Sequence, residues 1–361
     1  MNIIIEKGLL LTPLARLVSI TERRSIMPIL SNILISFSKG KIDIYSTDLE
    51  LSAISHVDHE WDGERKIVVH GRRFVEILRE MDSEAISLEF QDNTMVIKQR
   101  QTEFVLSLQD PEEFPEVKEI AGSEEFYLPG SIFLEMLDKV DFAISSDETR
   151  YVLTGMYILG HEGGISVVGT DGFRMALYQR DVEGVKGFRG IIIPKRSVVE
   201  IGKMVNADDR VKVVVGEKHV QFSTGAVTVV SRLLEGSFPD YENVVPKNNT
   251  NILTVDKTRF LKGLRKVSTI ISKSEPIKVT FVEGTMEIET ESDIGRAKEI
   301  IEVDYAGERL TMNFNVRFLM DVANHVDGEN IIVKAPSTYG AVLFEGERDE
   351  QYKNIVMPIR V

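Results

Sequence analysis

The chain repeats one pattern three times in 361 residues, and this repeat constrains its fold more than any other feature. In each copy a strand, a short polar break and a second strand follow one another. The copies start at Gly40, Gly163 and Gly284, and their polar pairs are Thr47-Asp48, Thr170-Asp171 and Thr290-Glu291. The pairs lie 123 and 120 residues apart, so each copy has the size of a domain.

Helical patterns recur in step with these strands. One helix is predicted from Gly71, Lys195 and Asn315, with Phe74, Val198 and Phe318 at equivalent places, and an earlier one near residues 9–20, 131–144 and 257–271. Runs of Val, Ile, Phe and Thr between turn residues predict several short strands per copy. Strand runs with helices gathered on one face are typical of an α+β fold. Polar linkers predict domains at 1–121, 122–247 and 248–361.

Composition narrows the choice of partner and compartment. The 57 acidic residues outnumber the 43 basic ones, and a net charge of −14 argues against nucleic-acid binding over a broad outer surface. No apolar run is long enough to cross a bilayer, and no signal-peptide pattern begins the chain. The absence of cysteine excludes disulfides and thiol chemistry and fits a reducing cytoplasm.

Positive charge nevertheless collects on several predicted helices. In the helix from Lys257 an apolar face holds Phe260, Leu261, Leu264, Val267 and Ile271, and no acid lies among the basic residues opposite. An ordinary solvated face would explain one such helix, but the other copies carry similar residues. The candidates are Arg24, Arg72, Arg73, Arg79, Lys195, Arg196, Lys203, Arg259, Lys262, Lys266 and Lys273. They predict one basic surface that contacts DNA phosphates without reading sequence.

Specific motifs run through the whole chain and resemble the β subunit of bacterial DNA polymerase III, the sliding-clamp family. They are MPILSNILI with TDLE, RYVLTGM, TDGFRMA, GSFPDYENVVPK, FNVRFLMDV and the terminal VMPIRV. The resemblance implies a head-to-tail homodimer that closes into a ring of six domains, with helices lining the hole and sheets outside. Such a ring encircles double-stranded DNA and needs neither catalytic activity nor a cofactor.

The resemblance also implies partners that dock through a short peptide carrying Gln and Leu-Phe anchors. These are the DNA polymerase III catalytic subunit, the clamp loader, and other polymerases and repair proteins. Their peptide would enter an apolar pocket between the second and third domains. Its residues here would be Leu153, Thr170, Gly172, Phe173, Arg174, Met175, Pro239, Asn243, Val244, Phe318, Ile355, Val356, Met357, Pro358 and Ile359. Phe173, Asn243 and Phe318 depart from the familiar His, Arg and Tyr, which should change the preferred peptide.

The dimer interface implied by the resemblance pairs an edge strand of the first domain with one of the third. The expected apolar contacts are Ile77, Phe104, Leu106, Ile270 and Ile271. Basic first-domain residues face acidic third-domain residues in the familiar relative. Here Gln101 and Glu103 fall in the first strand and Arg296 and Lys298 in the second, so those ion pairs should not carry over.

Two other classes of protein stay open at this point. An enzyme would use a motif such as the S-x-x-K match from Ser36 to Lys39, but this match lies on a strand and turn without supporting motifs. His56 and His59 could hold a metal, although residues three apart on a strand face opposite ways. A repeat scaffold that binds only proteins would use the same pocket, and only the basic helices argue against it.

Overall fold

The computed structural model describes residues 2–21, 27–122, 124–271, 275–347 and 349–360. Arg24 and Lys273, two of the candidate DNA-contacting residues, lie outside these ranges. By their contacts the residues form two compact units, Met1–Leu134 with Arg196–Leu233 and Glu135–Lys195 with Leu234–Val361. No helix in the described ranges is long and apolar enough to cross a membrane.

Each repeat contains two helices of about three turns, and in two cases an acid or amide side chain caps the start. Asp256 and Asn315 accept hydrogen bonds from the backbone N–H groups of Arg259 and Arg317, which satisfies donors that a helix start leaves unpaired. The helices are α1 (Lys7–Leu17), α2 (Gly71–Glu80), α3 (Gly130–Asp138), α4 (Lys195–Met204), α5 (Lys257–Val267) and α6 (Val316–His325).

Strands make up most of the remaining regular structure. In the first repeat they are β1 (Asn2–Glu6), β2 (Asn32–Ser38), β3 (Lys41–Thr47), β4 (Leu51–Asp58), β5 (Arg65–His70), β6 (Ala85–Phe90), β7 (Thr94–Gln99) and β8 (Thr102–Ser107). In the second they are β9 (Glu124–Pro129), β10 (Gly155–His161), β11 (Gly164–Thr170), β12 (Arg174–Asp181), β13 (Phe188–Pro194), β14 (Arg210–Val215), β15 (His219–Ser223) and β16 (Val227–Arg232). In the third they are β17 (Asn251–Asp256), β18 (Ile277–Val282), β19 (Thr285–Ser292), β20 (Gly295–Glu302), β21 (Leu310–Phe314), β22 (Asn330–Ala335), β23 (Val342–Gly346) and β24 (Asp349–Val356).

These strands form four antiparallel sheets, two in each unit. The first unit holds a four-stranded sheet in the order β1-β6-β7-β8 and an eight-stranded sheet β5-β2-β3-β4-β16-β15-β14-β9. The second unit holds a four-stranded sheet β20-β19-β18-β21 and an eight-stranded sheet β13-β10-β11-β12-β24-β23-β22-β17. Each eight-stranded sheet therefore joins four strands of one repeat to four strands of the next.

The helices bury their apolar faces against these sheets, as their periodicity predicts. Phe260, Leu264 and Val267 of α5 are at most 2% exposed, whereas Leu261 and Ile271 are only half-buried. Gly263 completes the buried face, because a side chain there would meet Ile301 of β20. The α+β fold and the three repeats predicted from the sequence are thus confirmed.

Two of the sequence alignments between repeats are wrong by one residue. The helices α4 and α6 start at Lys195 and Val316, so the equivalent of Val198 is Leu319, and both are buried. Phe318 is instead half-buried beside that row. Likewise, Thr170 pairs with Met175 and Glu291 pairs with Arg296, so Glu291 rather than Thr290 matches Thr170. Thr290 points inward and is 5% exposed.

Candidate functional site

A tight turn joins β11 to β12 in the second unit, and its own side chains hold it. Asp171 Oδ1 accepts the backbone N–H groups of Phe173 and Arg174 at 2.9 and 3.0 Å. Thr170 Oγ1 accepts the N–H of Gly172 at 3.1 Å. The Thr47-Asp48 turn repeats these bonds, which confirms that the Thr-Asp pairs serve turn geometry.

The tip of this turn presents an aromatic ring to solvent. Gly172 has φ +83°, a conformation that glycine adopts without steric cost. Arg150 Nη1 donates to the carbonyl oxygen of Asp171 at 2.6 Å, and the Arg150 guanidinium lies 4.7 Å from the centre of the Phe173 ring. Phe173 keeps 55% of its surface exposed even so. An exposed aromatic held this firmly can contact a partner at little entropic cost.

Arg174 fastens the turn to the remainder of the second unit. Its guanidinium lies between the carboxylates of Asp171 and Asp321 and donates to the carbonyl oxygen of Phe142 at 2.6 Å. It also lies 4.3 Å from the centre of the Phe318 ring, so Phe318, which is outside the buried row of α6, packs against this guanidinium. Only 13% of the Arg174 side chain is exposed. Its hydrogen-bond donors are therefore directed to protein groups, and it can contact a ligand mainly as part of the cavity wall.

Beside this turn lies an apolar cavity of about 130 Å³. A space of this size accepts one or two side chains and is smaller than the pockets that enclose whole small molecules. Its floor belongs to a buried cluster that includes Tyr241, Leu177 and Leu343. The lining residues are Leu153, Thr170, Gly172, Phe173, Arg174, Met175, Phe238, Pro239, Tyr241, Val244, Ile355 and Met357.

The end of the chain forms one wall of this cavity. The N–H of Met357 donates to the carbonyl oxygen of Phe173 at 2.9 Å, and the N–H of Ile359 donates to Asn313 at 2.7 Å. The hydroxyl of Tyr339 donates to the carbonyl oxygen of Pro358. Three bonds thus dock a segment that the sequence predicted to be docked because of its apolar surface.

Most of the predicted pocket residues meet at this cavity, but five do not line it. Val356 and Pro358 are buried on either side of Met357 in the chain, Phe318 packs against Arg174, and Ile359 lies further along the tail. Asn243 lines an adjoining depression of about 400 Å³ and donates to Asp240 at 2.6 Å. Val244 lines both spaces. Sequence reasoning missed Phe238 and Tyr241, although both stand inside the GSFPDYENVVPK motif.

Several predicted DNA-contacting cations have partners in the fold. Arg259 and Lys266 of α5 pair with Glu302 and Glu299 of β20 at 3.0 and 2.7 Å, so acids outside the helix partly balance their charge. The other pairs are Arg73–Glu76, Lys203–Glu200 and Arg196–Asp48, while Lys195 and Arg72 donate to the carbonyl oxygens of Ile144 and Thr21. Arg79 and Lys262 form no ion pair with any residue in the described part of the chain.

The strands predicted to form a dimer interface are both at sheet edges. β8 ends the four-stranded sheet of the first unit, and β20 ends that of the second. Val105 and Ile300 on these strands are 58% and 56% exposed. Phe104, Leu106, Ile77, Ile270 and Ile271 are all half-buried. Two long edges with exposed apolar residues are templates for further strand pairing.

Each of the three repeats contributes strands to two sheets, and the apolar cavity has room for one or two side chains. These features define a repeat protein that binds other proteins through a small apolar site. Family models for the DNA polymerase III beta subunit match its N-terminal domain at 1–118, its central domain at 127–240 and its C-terminal domain at 242–360. The beta sliding clamp of Caulobacter vibrioides is 32% identical, with all of both chains aligned. That of Pseudomonas aeruginosa is 28% identical over the same full coverage.

Solved structures agree with these matches. The crystal structure of the P. aeruginosa DNA polymerase III subunit beta superposes with a TM-score of 0.96 at 26% identity, covering 100% of both chains. A sliding clamp from Bartonella birtlesii bound to griselimycin gives 0.95 at 29% identity with the same coverage. The chain belongs to the DNA polymerase III beta subunit family, the bacterial sliding clamps, which are processivity factors and not enzymes.

Proposed function

We propose that two copies of this chain, each with domains at 1–121, 122–247 and 248–361, join head to tail into a ring around duplex DNA. The observation that carries this proposal is the pair of open edges, β8 and β20. Inside the chain, the same two kinds of edge meet at β4·β16 and at β12·β24. We call each of these two strand pairings between repeats a joint. Among the described residues β8 and β20 pair with no such partner, so each can form a joint with the corresponding edge of a second copy. Ile77, Phe104, Leu106, Ile270 and Ile271 would lie at that joint.

The basic helices would face the DNA inside this ring. Lys262 and Arg79 are exposed and are the best candidates for phosphate contact. Cations such as Arg259 and Lys266, which share their charge with strand carboxylates, would attract phosphate more weakly. Weak and salt-screened attraction suits a ring that must hold DNA by enclosure and still slide.

The cavity beside the 170–174 turn would receive the anchoring side chains of partner peptides. Its apolar lining, with the exposed ring of Phe173 at one edge, suits Leu and Phe side chains. Met175 and Met357 add flexible surface that can adapt to several peptides. The partners would be the DNA polymerase III catalytic subunit, the clamp loader and other polymerases and repair proteins, all in the cytoplasm.

Topological retention tests this function directly. The protein would be loaded by its clamp loader onto a nicked circular plasmid and separated from free protein by gel filtration. We expect it to stay with the circle at moderate salt and to be released when the plasmid is cut once, because a ring slides off an end. Equal retention on circular and linear DNA would contradict encirclement. Absence of any DNA association with intact peptide binding would leave a protein-binding scaffold.

A further inference from the structure

The two joints inside the chain have the same register. In β4·β16, Leu51 lies opposite Ser231 and Ser55 opposite Val227. In β12·β24, Arg174 lies opposite Val356 and Tyr178 opposite Tyr352. Each of these two joints therefore aligns five residue pairs, starting from the first residue of β4 or β12.

This register can be transferred to the two open edges. β20 starts at Gly295 and is the equivalent of β12, and β8 runs in step with β16 because Thr102 matches Val227. Both inner joints then place Leu106 opposite Gly295 and Thr102 opposite Glu299. For β24 the alignment rests on two matching bridges, because Leu106 and Val356 each lie three residues before a bridged residue, Gln109 with Val68 and Ile359 with Asn313. We propose, building on the dimer of the proposed function, that Glu103 of one copy lies directly opposite Lys298 of the other. The two joints predict this register independently. A dimer in which β8 is shifted by one or two residues along β20 would therefore differ from both of them.

The charges on the two edges support this register. On the third-domain sheet Lys278 lies opposite Glu289, and Glu289 lies opposite Lys298. On the first-domain sheet Glu103 lies opposite Lys98. Joining the edges completes one straight row across five strands, Lys278–Glu289–Lys298–Glu103–Lys98, in which the sign of the charge alternates at every step. Oppositely charged residues directly across a strand pair stabilise it, and like charges destabilise it.

Within each half of the row, the oppositely charged side chains already lie 2.7 to 3.6 Å apart. Lys278 Nζ is 2.7 Å and Lys298 Nζ is 3.3 Å from the Glu289 carboxylate, and Lys98 Nζ is 3.6 Å from that of Glu103. Hydrogen bonds from Lys278, then Lys298 and Arg296, outweigh partial desolvation and lower the pKa of Glu289 to about 2. Glu289 therefore remains ionised at neutral pH, and Lys298 lies beside it at the open edge of the sheet.

The opposite face of the same strands supplies space for apolar contacts. In this register Phe104 lies opposite Ala297 and Leu106 opposite Gly295, so each large residue meets a small one. The Ser292 hydroxyl lies 2.7 Å from the carbonyl oxygen of Ile270 and 3.5 Å from that of Gly295, which brings the backbone at Ile270 close to this strand end. A register shifted by one residue would turn Phe104 and Leu106 to the charged face.

Cysteine cross-linking tests the register, and the chain offers a clean background because it contains no cysteine. Directly opposed Cα atoms in an antiparallel pair are close enough for a disulfide, and positions displaced by two residues are not. A chain carrying Glu103→Cys and Lys298→Cys should form cross-linked dimers on mild oxidation. Its matched control, Glu103→Cys with Arg296→Cys, is displaced by two residues on the same face and should not.

Charge reversal tests the energetics. Glu103→Lys and Lys298→Glu should each raise the dimer dissociation constant by about tenfold or more, since both joints of a ring are affected. The double variant Glu103→Lys/Lys298→Glu should recover to within about threefold of wild type. Lys212→Glu is the control, because Lys212 is a strand lysine of similar exposure, 35% against 38%, that also pairs with a glutamate. It should leave dimerisation unchanged.

Mixing wild type with the double variant separates the two levels of the proposal. A mixed dimer has like charges at both joints, so mixed dimers should fall well below the statistical half in native mass spectrometry. Free mixing, with no effect of the single reversals, would overturn the charged row and leave the dimer standing. Cross-linking of the displaced cysteine pair would overturn the register. A wild-type protein that stays monomeric at micromolar concentration would remove the dimer itself.

Discussion

The backbone N–H of Met357 donates a hydrogen bond of 2.9 Å to the carbonyl oxygen of Phe173. This bond continues the pairing of β12 with β24 by one step past the last strand residue, Val356. It couples the chain end to the turn that carries the most exposed ring of the cavity. A substitution in the chain end should therefore alter the position of the 170–174 turn, and a substitution in the turn should alter the docking of the chain end.

Removal of residues 357–361 should abolish peptide binding without dissociating the dimer. The deletion takes away one wall of the cavity, whereas β8 and β20 lie elsewhere in the fold. We expect affinity for a labelled peptide with Gln and Leu-Phe anchors to fall at least about tenfold in fluorescence anisotropy. Sedimentation should still give the wild-type mass. Dissociation of the truncated protein into monomers would show that the tail has a structural role instead.

Gly172→Ala should perturb the cavity more than Gly184→Ala, although both positions have nearly the same backbone conformation. Their φ angles are +83° and +82°, so the strain of a left-handed alanine, about 1–2 kcal/mol, is common to both. Only at Gly172 would the new Cβ meet Arg150 Nη1, at 2.7 Å. Displacement of Arg150 should loosen Phe173 and weaken peptide binding several-fold. Equal peptide affinity in the two variants would show that Arg150 does not position Phe173.

Lys262→Glu should weaken DNA association more than Lys266→Glu. The positive charge of Lys266 is partly neutralised by Glu299 at 2.7 Å, whereas Lys262 forms no ion pair with the described residues. We expect the first variant to lower the slope of log affinity against log salt by about one and the second by less. Peptide affinity serves as the control and should be unchanged in both. Identical salt slopes for wild type and Lys262→Glu would remove α5 from the DNA-facing surface.

Glu289→Gln should cost stability at neutral pH and cost progressively less in acid. The pKa of Glu289 is lowered from 4.5 to about 2, so the folded state prefers the ionised carboxylate. Its stabilising effect is complete above pH 4.5 and is lost as the pH falls towards 2. Urea unfolding of both proteins between pH 3 and 7 should show this convergence. Glu113→Gln, at an exposed position outside this row of charges, serves as the control and should leave the free energy of unfolding at neutral pH nearly unchanged.

The sequence was sufficient to predict the repeat and the α+β class, because both depend on local patterns repeated in register. The residues of the cavity were predicted on other grounds, from motifs that resemble those of the sliding-clamp family. Strand pairing between repeats was not predictable in the same way, since β4·β16 joins residues far apart in the chain and both strands look like ordinary buried strands. The one-residue error at Phe318 has a similar origin. A bulky aromatic resembles a core residue, and only the fold reveals that α6 starts at Val316 and that Phe318 packs against Arg174 instead.

The charges on α5 could not be judged from the helix alone. Arg259 and Lys266 are unopposed along the helical wheel, and the acids that pair with them, Glu302 and Glu299, belong to a strand more than thirty residues later. Tyr241 was missed although Pro239, Asn243 and Val244 of the same motif were predicted to line the pocket. Its ring is 8% exposed and packs near Tyr157 on the cavity floor.

Because each eight-stranded sheet contains strands of two repeats, the compact units of the structure do not coincide with the sequence repeats. The predicted repeat boundaries lie near 121 and 248, but the chain passes between the two compact units at Leu134, Lys195 and Leu233, all within the predicted second repeat. A fragment cut at the repeat boundaries would leave β4 or β12 as a bare edge and should self-associate. The middle repeat therefore shares a continuous sheet with each neighbour, and its removal would expose the backbone edge of a strand in both of them.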